Sequence, residues 1–554
     1  MDPKKRLGVA FLWHMHQPFY KDPLTSSYQM PWVRLHGVKD YFPMAALIDR
    51  SVKMKATFNL VPSLVEQIND YVRNSASDTF LDLTVKRARS LEQKEKMMLL
   101  EHFFKVNFKR FIEPNARYSE LLIKKGIRPL SGSALKNVLK SFSDQDFLDL
   151  QVLFNMAWFH SITVDGDVNL QKLVQKKEGY SEEDKEYVVS IQRRVMAEIL
   201  PLYKKLQEEG KIEITTTPFY HPILPLLCDT SIARVSSAAM PLPKKFSHSE
   251  DAGWQIAEAV KYHAGQFGSP PKGMWPSEGS VSDEAIDLMI SKGIKWIATD
   301  EDILFRTLSS YDRKYKGVEL FDRRIIYRPY KMKRDRGSLT MIFRDKNLSD
   351  MISFSYNSWN PDDAARDLLG HCKRVEENLR RDTDRGMLTI VMDGENAWDF
   401  YEDNGRRFFE TVYSAIDEQD GLCSTTISDF LDQEPARRSL SNIFPGSWIN
   451  HNFEIWIGQE QDNVSWDYLS RVRKDLVKFT KAYQKSGRSL EDPALEEAWR
   501  ELYIAEGSDW NWWYAGKAHA GGDNPFDKLY LTHLKNIYKL LKKPVPEFLK
   551  ISIA

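Results

Sequence analysis

The chain has 554 residues, with 78 basic and 78 acidic side chains and a formal net charge of zero. Hydrophobic residues make up 42% and charged ones 28%, the balance of a soluble globular enzyme divided into two or three domains. No long basic run points to nucleic acid or an anionic membrane, and no apolar run nears the roughly 20 residues of a membrane span.

Residues 7–13 form a continuous apolar run, as expected of a strand buried on both faces. The first residues resemble a signal peptide, but the run ends in His14-Met15-His16-Gln17-Pro18 without a small-residue cleavage site. The three cysteines, Cys228, Cys372 and Cys423, are scattered and form neither a metal spacing nor a disulfide framework. A reducing compartment, and so a cytoplasmic location, is the expectation.

Residues 38–49 read as a helix and 55–60 as a second strand, stopped by Pro62. Residues 63–210 are mostly helical in pattern. The last helix there carries one apolar stripe (Ile191, Val195, Ile199, Leu202, Leu206), with Pro201 inside it as an expected kink and Gly210 as its stop. Residues 211–216 alternate and are β-branched, so they read as a strand. It runs into the aromatic loop Thr217-Pro218-Phe219-Tyr220-His221-Pro222. After a helix at 251–267 comes Gly273-Met274-Trp275, broken by Pro276, with Glu278 between Ser277 and Gly279. Ser282, Asp283 and Glu284 then open a helix, which places Glu278 in a strand-to-helix loop.

Residues 294–299 read as a strand ending at Asp300, 325–329 and 339–343 as a hairpin, and 351–356 as a further strand before a helix at 362–380. Residues 387–392 form an apolar strand that runs into Asp393-Gly394-Glu395-Asn396-Ala397-Trp398-Asp399. About seven apolar strands separated by helices predict a parallel, closed β/α barrel. Beyond residue 435 the strands are expected to stop, and 469–484, 493–504 and 526–541 read as helices. The predicted organisation is a catalytic barrel over 1–435, with a helical insertion at about 63–210, and a helical domain over 436–554.

In such a barrel the loops at the carboxyl ends of the strands carry catalysis. His14, His16, His221, Glu278, Asp300, Asp393 and Glu395 all fall at such ends. Two facing carboxylates are the minimum for glycoside hydrolysis, about 5–5.5 Å apart in a retaining enzyme. Their like charge would raise the pKa of one of them. Each residue also has a plainer reading. His14 and His16 could bond backbone groups or form a metal pair, and Asp393-Gly394 could be a turn. Glu395, Asp399 and Asp300 read better as loop or supporting groups. Trp275 and Trp398 could be core or platforms for sugar rings.

Five ordered segments carry a resemblance to glycoside hydrolase family 57. His14-Met15-His16-Gln17-Pro18 resembles its first motif and Gly210-Lys211-Ile212-Glu213-Ile214-Thr215 its second. Trp275-Pro276-Ser277-Glu278 resembles the third, Met392-Asp393-Gly394-Glu395-Asn396 the fourth, and Ala505-Glu506-Gly507-Ser508-Asp509-Trp510 the fifth. The wording of the third and fourth is closest to the amylopullulanase and α-amylase branch.

The resemblance implies an incomplete (β/α)7 barrel, a long helical insertion and a helical C-terminal domain that completes the site. It implies Glu278 as nucleophile and Asp393 as acid/base, a choice over Glu395 that the residues alone leave open. His14, His16, Glu213, His221, Trp275, Trp398, Asp509 and Trp510 are the expected sugar contacts. No metal and no cofactor is expected. The substrate implied is an α-glucan or maltooligosaccharide, cleaved at α-1,4 bonds, with α-1,6 bonds as a second candidate linkage. A 4-α-glucanotransferase with the same pair is the near alternative. A metal-dependent hydrolase or deacetylase using His14, His16 and His221 is a more distant one, and a non-catalytic glucan-binding protein the third. One departure stands out. Residues 515–522 read Ala-Gly-Lys-Ala-His-Ala-Gly-Gly, where relatives carry an acidic, Ser-rich turn, and this bears on acceptor-side specificity.

Overall fold

A computed structural model describes residues 6–74, 76–128, 132–318, 321–395, 397–485, 489, 491–515 and 524–553. The segment with altered charge, 516–522, lies outside the described residues, as does Asn396 of the fourth motif.

The chain is an α/β protein with a helical C-terminal region. Its main strands are β1 (Leu7–Met15), β2 (Ala56–Leu60), β3 (Ile212–Thr215), β4 (Gly273–Met274), β5 (Trp296–Asp300), β6 (Tyr330–Arg334), β7 (Gly337–Arg344), β8 (Met387–Asp393), β9 (Leu422–Ser424) and β10 (Arg438–Leu440). One sheet has the order β8-β1-β2-β3, all parallel, with β9 also pairing the start of β1. The other has the order β10-β6-β7-β5-β4. In it β4, β5 and β7 are parallel and β6 is antiparallel to β7. A parallel bridge, Thr216 to Met274, joins the sheets at one seam. At the other, the Asp345 N–H donates to the Thr389 carbonyl at 2.8 Å.

Side chains alternate along each strand. In β1, Val9, Phe11, Trp13 and Met15 pack outward against the helices, while Ala10 and Leu12 pack inward with Trp275, Trp296, Ala298, Ile342, Met387 and Val391. Ile427 and Phe430, from helix Ile427–Gln433, pack against this inner cluster. Between β2 and β3 the described elements are all helical, from Pro62–Arg73 to Glu182–Glu208. The latter starts at a Ser181 capping box, runs without a break through Pro201, and is followed by Gly210 at φ +68°. The later helices are Glu460–Lys485, Pro493–Ala505, Asp509–Ala515 and Pro525–Leu540. Among the described residues no helix is long and apolar enough to cross a membrane. The three cysteines are free.

Three expectations are corrected. Residues 351–356 are not a strand but a π-helical turn, Met351–Ser355, and a 3-10 turn from Tyr356. Asp345 caps helix Lys346–Asp350 by accepting from the Leu348 N–H, and the helical path continues. Ile352 and Tyr356, four residues apart, are the buried positions of the segment, a helical and not a strand spacing. The hairpin exists, but its first arm is Tyr330–Arg334, since 323–325 form a 3-10 turn. Strands also do not stop at 435: β10 pairs with β6.

Candidate active site

Register sets the floor of the site. His14 is opposite Asp393 on one side and Asn59 on the other. Three neighbouring strands therefore present polar side chains at one level, at their carboxyl ends. Asp300 and Arg344 face each other in the same way across β5 and β7. The Arg344 Nε donates to the Asp300 Oδ2 at 2.6 Å, and the guanidinium stacks 4.9 Å over the Trp448 ring.

Glu278 follows β4 in the turn Ser277–Gly279. Its backbone is left-handed, φ 56° and ψ 25°, a conformation that costs a non-glycine residue about 1 kcal/mol or more. Trp448 holds it there at both ends. The Trp448 backbone N–H donates to the Glu278 carbonyl at 2.9 Å, and its Nε1–H donates to Oε2 at 2.8 Å. Thr299 Oγ1 donates to the Gly279 carbonyl at 2.6 Å and fixes the turn from β5.

Burial and the negative charge of Asp393 push the Glu278 carboxyl up to about 8, against the pull of the Trp448 hydrogen bond. Burial lifts Asp393 to about 6, opposed by His16 and Arg344. Glu395 differs from its neighbour. Its Oε1 accepts the His16 backbone N–H at 3.1 Å and its Oε2 is buried without a partner. Burial, then Asp393, raises its pKa well above the usual range. Glu395 thus ties the first motif to the end of β8 through one of its two oxygens.

Three imidazoles adjoin the pair. His14 Nδ1 meets Asn59 Oδ1 at 2.6 Å, and His14 Nε2 lies 3.2 Å from His221 Nε2. His221, at φ +59°, places Nδ1 2.9 Å from Ser508 Oγ. The His16 Nε2 lies 2.7 Å from Asp509 Oδ1. Burial lowers His14 to about 3 and His221 well below the ordinary imidazole value, so both are neutral.

His14, His16, Glu278, Asp393 and Asp509 line one cavity of about 890 Å³, with Glu395 among them. His221 is buried and stacks on His16, ring centroids 3.9 Å apart. The other expected sugar contacts are elsewhere. Trp275 is fully buried in the inner cluster. Trp398 is core, its Nε1 bonded to the Gly394 carbonyl and its ring packed on Phe409. Trp510 is buried and donates to the Ile504 carbonyl. Glu213 points inward two residues below the level of Asn59 and His14. Its carboxylate is taken up by Ser428 and the Trp296 Nε1 near the amino ends of the strands.

Several lining residues escaped the sequence reading. Trp448 contacts Glu278 directly but belongs to no motif. Trp32 and Phe80 come from helices before β3, Trp158 from the turn after helix Asp144–Met156, and Trp512 and Trp513 from helix Asp509–Ala515. Lys39 pairs with Asp399 and lies 4.5 Å over the Trp158 ring. A tryptophan in an amphipathic helix reads as core from sequence, and only the packing turns these toward the cavity. Chemically, the floor offers two protein-surrounded carboxylates that repel each other, under a wall of aromatic rings.

The family model for glycosyl hydrolase family 57 matches residues 10–441. A 1,4-alpha-glucan branching enzyme of Thermococcus kodakarensis is 21% identical over 404 residues, 60% of this chain and 55% of that protein. The chain thus spans little more than half of that relative's length. The crystal structure of a family 57 branching enzyme from the same organism superposes with a TM-score of 0.62 at 16% identity, covering 97% of this chain and 90% of that one. The alpha-amylase AmyC of Thermotoga maritima gives a TM-score of 0.57 at 15% identity, over 97% and 93% of the two chains.

Proposed function

The chain belongs to glycosyl hydrolase family 57, and on that footing we propose that it cleaves α-1,4-glucosidic bonds of starch- or glycogen-type glucans with retention. Glu278 attacks the anomeric carbon while Asp393 protonates the departing oxygen, which leaves a glycosyl-enzyme. Asp393 then takes the proton of the incoming hydroxyl as that oxygen displaces Glu278. The observation that carries this reading is the carboxylate pair on one cavity floor, both groups raised by burial so that the pair holds one proton near neutral pH; at rest that proton favours Glu278, and it must pass to Asp393 before Glu278 attacks. His14, His16 and Asp509 are the proposed sugar-hydroxyl contacts, with His221 holding their arrangement from behind. Glu213, Trp275, Trp398 and Trp510 are not among them.

Residues 1–435 read as one catalytic domain, in which β8-β1-β2-β3-β4-β5-β7 form an incomplete (β/α)7 barrel. Residues 63–210 are its insertion, and 436–554 a mainly helical domain, β10 apart, that completes the site through Trp448 and Asp509.

Transfer to a sugar hydroxyl is the second reading. It is favoured by the aromatic walls from the insertion and helix Asp509–Ala515, which suit an acceptor chain better than bulk water. The branching activity named for the first relative gives it a direction, transfer to a 6-hydroxyl. The test is incubation of wild type and Glu278→Ala with maltoheptaose, amylose and pullulan, products being separated by chromatography. Only shorter chains mean hydrolysis. Longer and shorter linear chains mean 4-α-transfer, and new α-1,6 linkages by proton NMR mean branching. Wild type inactive on all three, or full activity in Glu278→Ala, overturns the proposal.

A further inference from the structure

Beside the carboxylate pair lies a group of metal-ligating atoms that neither makes nor breaks the glucosidic bond. A ring nitrogen of His16, one of His221 and a carboxylate oxygen of Asp509 all lie within 4.8 Å of one another. The His16 and His221 rings stack face to face, their planes 17° apart. His14 adds a fourth donor, its Nε2 3.2 Å from that of His221.

Hydrogen bonds fix which atoms are free to ligate. The Asn59 Nδ2 donates to the Thr216 carbonyl at 2.6 Å and to Thr215 Oγ1 at 3.1 Å, so its Oδ1 is the atom that faces His14. The His14 proton is therefore on Nδ1, and Nε2 turns its lone pair toward the cluster. Metal-binding histidines are held in this way, the second nitrogen donating to a carbonyl or carboxylate oxygen. Ser508 Oγ occupies the equivalent place at His221 Nδ1. The His16 Nδ1 is buried and bonded to nothing, so that nitrogen is uncommitted. His16 and Asp509 also line the cavity, which supplies an approach route and room for a water ligand.

We propose that His16, His221 and Asp509, with His14 as a fourth donor, bind a divalent cation of the Zn²⁺ type, and that the bound ion excludes sugar from the cavity floor. Two or three imidazoles with one carboxylate suit Zn²⁺, whereas Ca²⁺ and Mg²⁺ demand oxygen ligands. Ligand atoms 2.0–2.1 Å from one ion stand about 3.3 Å apart, so the cluster must tighten. The half-buried side chains of His16 and Asp509 are the ones placed to move. The exclusion of sugar rests on the function proposed above, but the binding does not.

The test titrates chelator-treated protein with ZnCl₂ against a chromophoric competitor. One ion per chain is expected, with no uptake of Ca²⁺ or Mg²⁺. His221→Ala and Asp509→Asn should each weaken binding by about tenfold or more. His371→Ala, at a half-buried His–Asp pair on helix Pro361–Leu379, should leave it unchanged. Circular dichroism checks that the variants fold, and Asp509→Asn, close in shape to the native residue, remains the test if His221→Ala does not. No uptake at millimolar Zn²⁺, or equal uptake by the cluster variants, overturns the site. In the second arm Zn²⁺ should inhibit maltoheptaose turnover competitively and a chelator should restore it. Binding without inhibition overturns the exclusion. A wild type with no turnover overturns the proposed function and leaves the site to the titration.

Discussion

Glu278 sits in a left-handed turn, in a place that disfavours its charge, and Trp448 meets both conditions with two hydrogen bonds. Trp448→Phe keeps the ring and removes the Nε1 donor, so kcat should fall about tenfold or more with little change in melting temperature. With Asp393 raised to about 6 and Glu278 to about 8, the singly protonated pair dominates between those values. The kcat/KM profile should therefore rise through about pH 6 and fall through about pH 8. The same shift acts on stability. A carboxyl raised in the fold contributes fully below its unfolded pKa, and that contribution is lost as pH climbs toward the folded value. Glu278→Gln should then melt about 1–3 °C above wild type at pH 8 in calorimetry, with the gap closing near pH 4, and be inactive.

At this scale the motifs brought out Glu278, Asp393, His14, His16 and Asp509, which the fold gathers around one cavity, because a short polar signature stands out in the chain wherever it folds. They failed where nearness in sequence was taken for nearness in space. Trp275 and Trp398 stand close to a carboxylate in the chain but pack into the core. Glu213 is on the inward face but lies two residues, about 7 Å, too deep. Trp448 is 170 residues from its partner, and no local pattern could announce it.

Among elements, the alternating strands and helices were legible from apolar runs and caps, with one exchange. The run 351–356 alternates like a strand yet is helical, and β7, read as a hairpin arm, takes the place beside β5. Alternation over six residues cannot outweigh a helix start, and Asp345 supplies one. Its carboxylate caps Leu348, accepts from the Tyr327 hydroxyl at 2.8 Å and pairs with Arg323 at 3.1 Å. Asp345→Ala leaves the Leu348 N–H and the Tyr327 hydroxyl unmet in a buried place, while Arg323 keeps Glu301, and should cost about 2–3 kcal/mol in denaturant unfolding. Asp345→Asn, which keeps an acceptor, should cost less.

Over the whole molecule, the helical region is fastened to the α/β part by buried charge. Arg473 of helix Glu460–Lys485 pairs with Asp251 of helix Ser249–Phe267, both nearly inaccessible to water. Arg473→Ala strands Asp251 in the interior, and a loss of about 3–5 kcal/mol is expected in equilibrium unfolding. Because the same region carries Asp509 to His16, maltoheptaose turnover should fall as well, although Arg473 touches neither.

The bond between His16 and Asp509 joins residues 493 positions apart. Contacts of such range form late, since the ends of a very long loop must meet before they are rewarded. On the ribosome, a chain emerging from its amino end would hold Glu278 and Asp393 for some time before the wall that closes over them exists. In refolding, the proposed activity should therefore return only once the helix that carries Asp509 has docked, well after the helical circular dichroism.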